Sequence, residues 1–384
     1  MPRNYYLTDK SSYSSYELLP NETVESLTKL LGIDKQQLVR FHNIIANDEE
    51  TIIHELPKGL THLFMQPHFD EKDLKNVPRA PLESGSVLRL KPTKSKSYYG
   101  ISCTSTTGEE ATTMDYEVCV ECIEKLPQQH FLFEINRTST IFFDNKEADS
   151  IINELAEKVA QVLYPLVVLV GENGICKDIY NTDEIKKRWQ NKKEKIFDDY
   201  QGEEIENYLL ACEQNFENRG NIKESFRNDW FLNIFFSGIY QNYYDNFSFK
   251  SPIYFPLLDN VSPVSYEVVT TINKHLDENN NICITQNGVI NDTRTKSDIL
   301  NGLSFPNSET TIEKLIGSYQ SHYFLNPVNN TLKLLKVECD IELDKPKKIE
   351  IIIGLINKKE KPKDKQEDKQ TAEELPKKKK GWLF

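Results

Sequence analysis

The stretch SYELLPNETVESLTKLLGIDKQQLVRFHNIIA, residues 15–46, decides how the chain begins. Val24, Leu27, Leu30 and Leu31 fall on one helical face, and Gly32 stands where a helix closes on a left-handed residue. Asp34, with Gln37 three residues on, has the form of a capping box that opens a second helix. Leu38, Phe41 and Ile45 give that helix its apolar side. A short extended piece precedes the first helix, and residues 51–53 and 60–65 read as extended around Pro57-Lys58-Gly59. The spacing predicts a βααβ unit over residues 15–67, with Leu27, Leu31, Leu38 and Phe41 buried.

Tyr16-Glu17-Leu18-Leu19-Pro20-Asn21-Glu22-Thr23-Val24 resembles the opening of a LysM domain, whose usual form is Tyr-x-Val-x-x-Gly-Asp-Thr-Leu. Leu27 and Leu30-Leu31-Gly32 are similar to the family's first helix and its cap. Leu38, Phe41 and His42-Asn43-Ile44 resemble the second helix and its Asn corner. Pro57-Lys58-Gly59 and residues 63–67 resemble the last turn and closing strand. Asn21 replaces the family's Gly, a position where Asn tolerates positive φ better than most residues. Glu22 replaces Asp. The resemblance implies a non-catalytic module that grips a glycan polymer containing N-acetylglucosamine, such as peptidoglycan or a chitin-like chain. The implied groove has Asn21, Glu22, Thr23 and Val24 as one lip and Asn43, Ile44 and Ile45 as the other.

Outside this head the chain reads more plainly. Its 384 residues exceed what one core usually organises, and 38% hydrophobic with 28% charged residues is a globular balance. The net charge is −12, although residues 357–380 hold ten Lys against six acidic residues. An acidic body argues against a nucleic-acid surface. Residues 1–14 contain no apolar signal-peptide run, and no stretch is long enough to span a membrane. Seven Cys, an odd number scattered through apparent core segments, suit reduced thiols in the cytoplasm. Delivery outside would then need an unconventional route.

The expected fold class is α+β and multidomain: a flexible leader (1–14), the LysM-like module (15–69) and a charged linker (70–84). A mixed α+β domain (85–250) and an antiparallel β-rich domain (251–356) follow, then a disordered Lys-rich tail (357–384). Strands are expected at 115–124, 130–143, 266–272, 282–290, 332–343 and 349–356, and a hairpin turning at Asn173-Gly174. Asn287-Gly288 also reads as a turn. Helices are expected at 146–163, from Thr182 to 200, at 203–218 and at 222–243.

No residue pattern calls for catalysis, a metal or a cofactor. His42, His54, His62 and His68 lack zinc-ligand spacing, and Cys119 and Cys122 would face opposite sides of a strand. Glu203, Glu204, Glu206 and Glu213 read as a solvated helix face, and Tyr240, Tyr243 and Tyr244 as core aromatics. Trp382, Leu383 and Phe384, after four Lys, form a candidate docking peptide for a protein partner. Three classes stay open: the glycan-binding protein, a cytoplasmically assembled component of a contractile tail or type VI-like secretion apparatus, and an unrecognised cell-wall hydrolase.

Overall fold

The computed structural model describes residues 15–31, 35, 38–39, 42–43, 46, 50–64, 77–144, 146–147, 151–259, 261–307 and 314–356. Buried apolar side chains gather into two separate cores. The smaller belongs to the head. Strand β1 (Ser15–Glu17) pairs antiparallel with β2 (His62–Phe64), and helix α1 (Val24–Leu31) lies between them in sequence. Val24 and Leu27 turn inward from α1 to meet Leu38, Ile52 and Leu63, while Leu31 is only half-buried at the edge. Phe41 lies outside the described residues. The expected βααβ unit is not reproduced whole: α1 is the one helix of the head with defined bounds among the described residues, although Lys35, Leu38, Val39, His42 and Asn43 are also helical. Beyond α1, side-chain hydrogen bonds from His42 and Asn43 tie the chain to residues 50–52 and 64.

The larger core rests on one antiparallel sheet, thirteen-stranded among the described residues. Its first part comprises β3 (Ser97–Thr107), β4 (Glu110–Leu126), β5 (His130–Arg137), β6 (Phe142–Phe143), β7 (Lys146–Glu147), β8 (Leu166–Val170) and β9 (Cys176–Ile179). Its second part is a meander of β10 (Ser248–Phe255), β11 (Val264–Ile272), β12 (Ile282–Ile290), β13 (Ser318–Leu325), β14 (Leu332–Ile341) and β15 (Lys347–Ile356). Across the sheet the order is β10-β11-β12-β13-β14-β15-β3-β4-β5-β8-β9, with β6 and β7 attached beside β4. The two parts join where β15 pairs with β3, from Lys347 opposite Thr107 to Ile356 opposite Tyr98.

That join overturns the expected α+β multidomain class. The mixed middle and the β-rich C-terminal part are one predominantly antiparallel β structure with one core. The cause is alternation. Tyr99, Ile101 and Cys103 on β3, Ile349, Ile351 and Ile353 on β15, and Leu335, Val337 and Cys339 on β14 all bury the same face. A continuous apolar face needs a continuous cover, and helices supply it. Helices α2 (Ile151–Ala160), α3 (Thr182–Asp199), α4 (Glu203–Glu217), α5 (Arg219–Arg227) and α6 (Trp230–Phe235) all contribute to this core.

Helix α6 sits over the join. Phe235 meets Tyr99 of β3 at 5.1 Å, the next residue Phe236 meets Phe133 of β5 at 5.4 Å, and Tyr323 of β13 donates to the Ile234 carbonyl at 3.0 Å. The expected single helix over 222–243 is instead α5 and α6, divided at Asn228-Asp229, where Asp229 caps α6 by accepting from the Leu232 amide. Asn287-Gly288 is not a turn but the interior of β12. A Cβ on Gly288 would stand 2.6 Å from the Glu267 carbonyl oxygen, so glycine is there for close strand approach. Residues 78–82, expected in a linker, bond to the loop at 274–276 through Ala80 and Leu276. The expectations for residues 1–14 and 357–384 lie outside the described residues.

The shared face makes a contrast testable by denaturant titration. Ile351→Ala, at the centre of the buried face, should cost about 2–5 kcal/mol. Leu355→Ala, on the same strand but 44% exposed, should cost much less. Equal losses at both positions would contradict the assigned facing of β15.

Candidate functional site

In the head, the residues expected at the first lip form a tight turn. Asn21 holds φ at 73°, a left-handed conformation that Asn adopts more readily than most residues. Glu22 accepts from the Leu19 amide and from the Tyr16 hydroxyl, each at 2.8 Å. Thr23 caps α1 reciprocally with Ser26: the Ser26 amide donates to Thr23 Oγ1 at 3.1 Å, and the Thr23 amide to Ser26 Oγ at 2.9 Å. Val24 points into the small core. Of the four residues, Asn21 and Thr23 are exposed, Glu22 is half-buried and Val24 is buried.

At the second lip Asn43 clasps the Ile52 backbone. Its Nδ2 donates to the Ile52 carbonyl and its Oδ1 accepts from the Ile52 amide, both at 2.8 Å. Ile52 packs in the same core as Val24, so the two lips meet through it. Fully buried His42 accepts from the Phe64 amide at Nδ1 (3.0 Å), with Nε2 2.9 Å from the Glu50 carbonyl. Because a carbonyl can only accept, the ring is protonated on Nε2 and neutral. Ile44 and Ile45 lie outside the described residues, as do Trp382, Leu383 and Phe384.

The body carries a second concavity. An open groove of about 500 Å³ lies between the two ends of the sheet, lined by β9, α5, α6, Phe236, Tyr254 and Pro263. Both edges are blunted. On short β9 the Ile179 amide is taken by Asp178 Oδ1 at 2.9 Å. On β10 the Ile272 amide donates to the Phe247 carbonyl at 2.9 Å, which fixes the alternation along the strand. The backbone groups of Lys250, Pro252 and Tyr254 therefore point away from β11. Pro252 has no N–H to leave unpaired there. Lys223 pairs with Asp178 at 2.6 Å and Arg227 with Glu224 at 2.9 Å. Lys177 makes no ion pair among the described residues.

Other chemistry-bearing groups are structural. Burial raises the pKa of all seven thiols, that of Cys176 to about 12, which keeps them protonated and unreactive at neutral pH. Cys122 belongs to the main core and Cys119 does not, so the pair does not converge. His54 and His62 are exposed, and His68 is outside the described residues. Among the described residues no set of His, Cys, Asp and Glu is placed to hold a metal. Burial opposes ionisation of Glu338, yet Lys336 and Lys348 outweigh it and hold its carboxyl at about 2. Glu203, Glu204 and Glu206 are exposed, and Glu213 pairs with Lys193 at 2.6 Å. Tyr240 and Tyr243 pack into the core, whereas Tyr244 is exposed. Among the described residues no helix is long and apolar enough to cross a membrane.

No known family model matches the chain, and neither does any curated protein. The groove escaped sequence reading because its cations come from separate elements, each looking like an ordinary solvated charge.

The Asn43 clasp gives a direct test. Asn43→Ala leaves a donor and an acceptor of Ile52 unpaired, and should destabilise the head by about 1–3 kcal/mol. Amide exchange in residues 15–64 of the full chain should accelerate accordingly while the sheet's protection stays unchanged. Unchanged exchange in the head would show the clasp to be inert.

Proposed function

We propose that this chain is a non-catalytic binding protein whose head recognises a glycan polymer containing N-acetylglucosamine, such as peptidoglycan. The observation that carries the reading is the turn at 21–24. Its residues resemble a LysM opening, Asn21 stands at the family's Gly and takes a left-handed conformation, and the turn's own polar groups are satisfied internally. Such a turn is preorganised, and a rigid rim loses little entropy when a sugar chain docks.

A second reading, a component of a protein assembly, is favoured by a different feature. Buried Arg294 is forked onto Asp292 and also donates to the Leu303 and Pro263 carbonyls. This fixes a loop that presents Phe305, 80% exposed, with Leu300 and Ile316 also exposed. Exposed apolar groups gathered in this way suit a protein partner.

Titration of the full chain with N-acetylglucosamine oligomers and purified peptidoglycan separates the two. The glycan reading expects weak, saturable binding, reduced severalfold by Asn21→Gly, which keeps the positive φ but removes the side chain. No saturable binding by a folded chain would overturn it and leave the assembly reading.

A further inference from the structure

We propose that the groove between the two sheet edges docks an acidic protein segment carrying an aliphatic or aromatic anchor. The proposal is independent of the head and of its glycan reading. The groove's volume, about 500 Å³, falls within the range of ordinary ligand clefts. Its floor is apolar: Ile179, Phe226, Leu232 and Phe236 line it and are themselves buried. Its rim is basic, with Lys177, Lys223 and Arg227 against Asp178 alone. That bias runs against a chain whose net charge is −12.

Two of the three rim cations are available. Lys223 is committed to Asp178, but Lys177 is exposed and unpaired among the described residues, and the Arg227–Glu224 pair is solvent-exposed on both sides. Exposed pairs of this kind contribute little and exchange readily for a better-placed carboxylate. An apolar floor under a cationic rim is complementary to carboxylates flanking a Phe, Tyr, Leu or Ile. It is a poor match for nucleic acid, whose sugar–phosphate backbone offers the floor nothing and is repelled by the rest of the chain. The chain's own Lys-rich residues 357–380 carry the same sign as the rim and do not fit it, and the proposal commits to a segment of another protein.

Edge geometry limits the mode of binding. Tyr254, 60% exposed, lines the groove with its backbone groups turned away from β11, so an extended segment can bond there. Pro252 stops the pairing two residues away, and Asp178 already occupies the Ile179 amide on the facing edge. The segment is thus short, anchored by side chains and charge more than by strand addition.

An array of short peptides, each with Asp and Glu around a central Phe or Leu, probed with the full chain, tests this. A subset should be retained, with affinity falling as salt rises. Lys177→Glu combined with Arg227→Glu should weaken the retained peptides by roughly tenfold or more without lowering the melting temperature, because both side chains are exposed. Should the reversal unfold the protein, Lys177→Gln with Arg227→Gln is expected to give a smaller loss in the same direction. Retention of no peptide, identical retention by a folded variant, or tighter binding of a single-stranded oligonucleotide than of any peptide would each overturn the proposal.

Discussion

The ladder between β15 and β3 is the constraint on which the rest of the body depends. β15 is the last described strand and β3 the first of the large sheet, so their pairing closes the sequence on itself through the middle of the sheet. Each strand buries alternate residues, and a slip of one residue would turn Ile349, Ile351 and Ile353 to the wrong face. Register here aligns the apolar faces of two parts that are otherwise far apart in sequence. The same alignment requires a common cover. Helix α6 supplies its centre, touching β3 and β13 directly while the adjoining Phe236 reaches β5.

Because the sheet does not close, it has two ends, and the helices between β9 and β10 span from one to the other in sequence. Open edges invite pairing with other chains. Here Pro252 and the Asp178 carboxylate answer that hazard, and the groove lies where the two blunted edges and α5 come together. The head is organised on another principle. Its core is small, and much of its order comes from polar clasps: Glu22 across the first turn, Asn43 on Ile52 and His42 on Phe64.

Local elements were legible wherever periodicity was strong. Ile349 to Ile356 alternates plainly, and the hairpin turning at Asn173-Gly174 forms with Gly174 at φ 84°. Strands with polar residues facing inward were not legible. On β13 the buried positions are Tyr319, Ser321, Tyr323 and Leu325, and Ser321 is tolerated only because its hydroxyl donates to Gln286 Oε1 at 2.7 Å. Strand β3 hides similarly among Ser and Thr. Missing β3 and β13 made the chain look like separate domains, since no local signal shows which distant strands will pair. In the head, nothing in the sequence shows that Glu22 and Asn43, expected on the two lips, spend their hydrogen bonds inside the fold.

Native-state hydrogen exchange on the full chain tests the central claim, that the β15–β3 ladder makes one cooperative body. The account predicts that the slowest amides of β3–β5 and of β11–β15 exchange through a single global opening, with one free energy and one denaturant dependence. Two distinct free energies, with one part opening while the other stays protected, would contradict it.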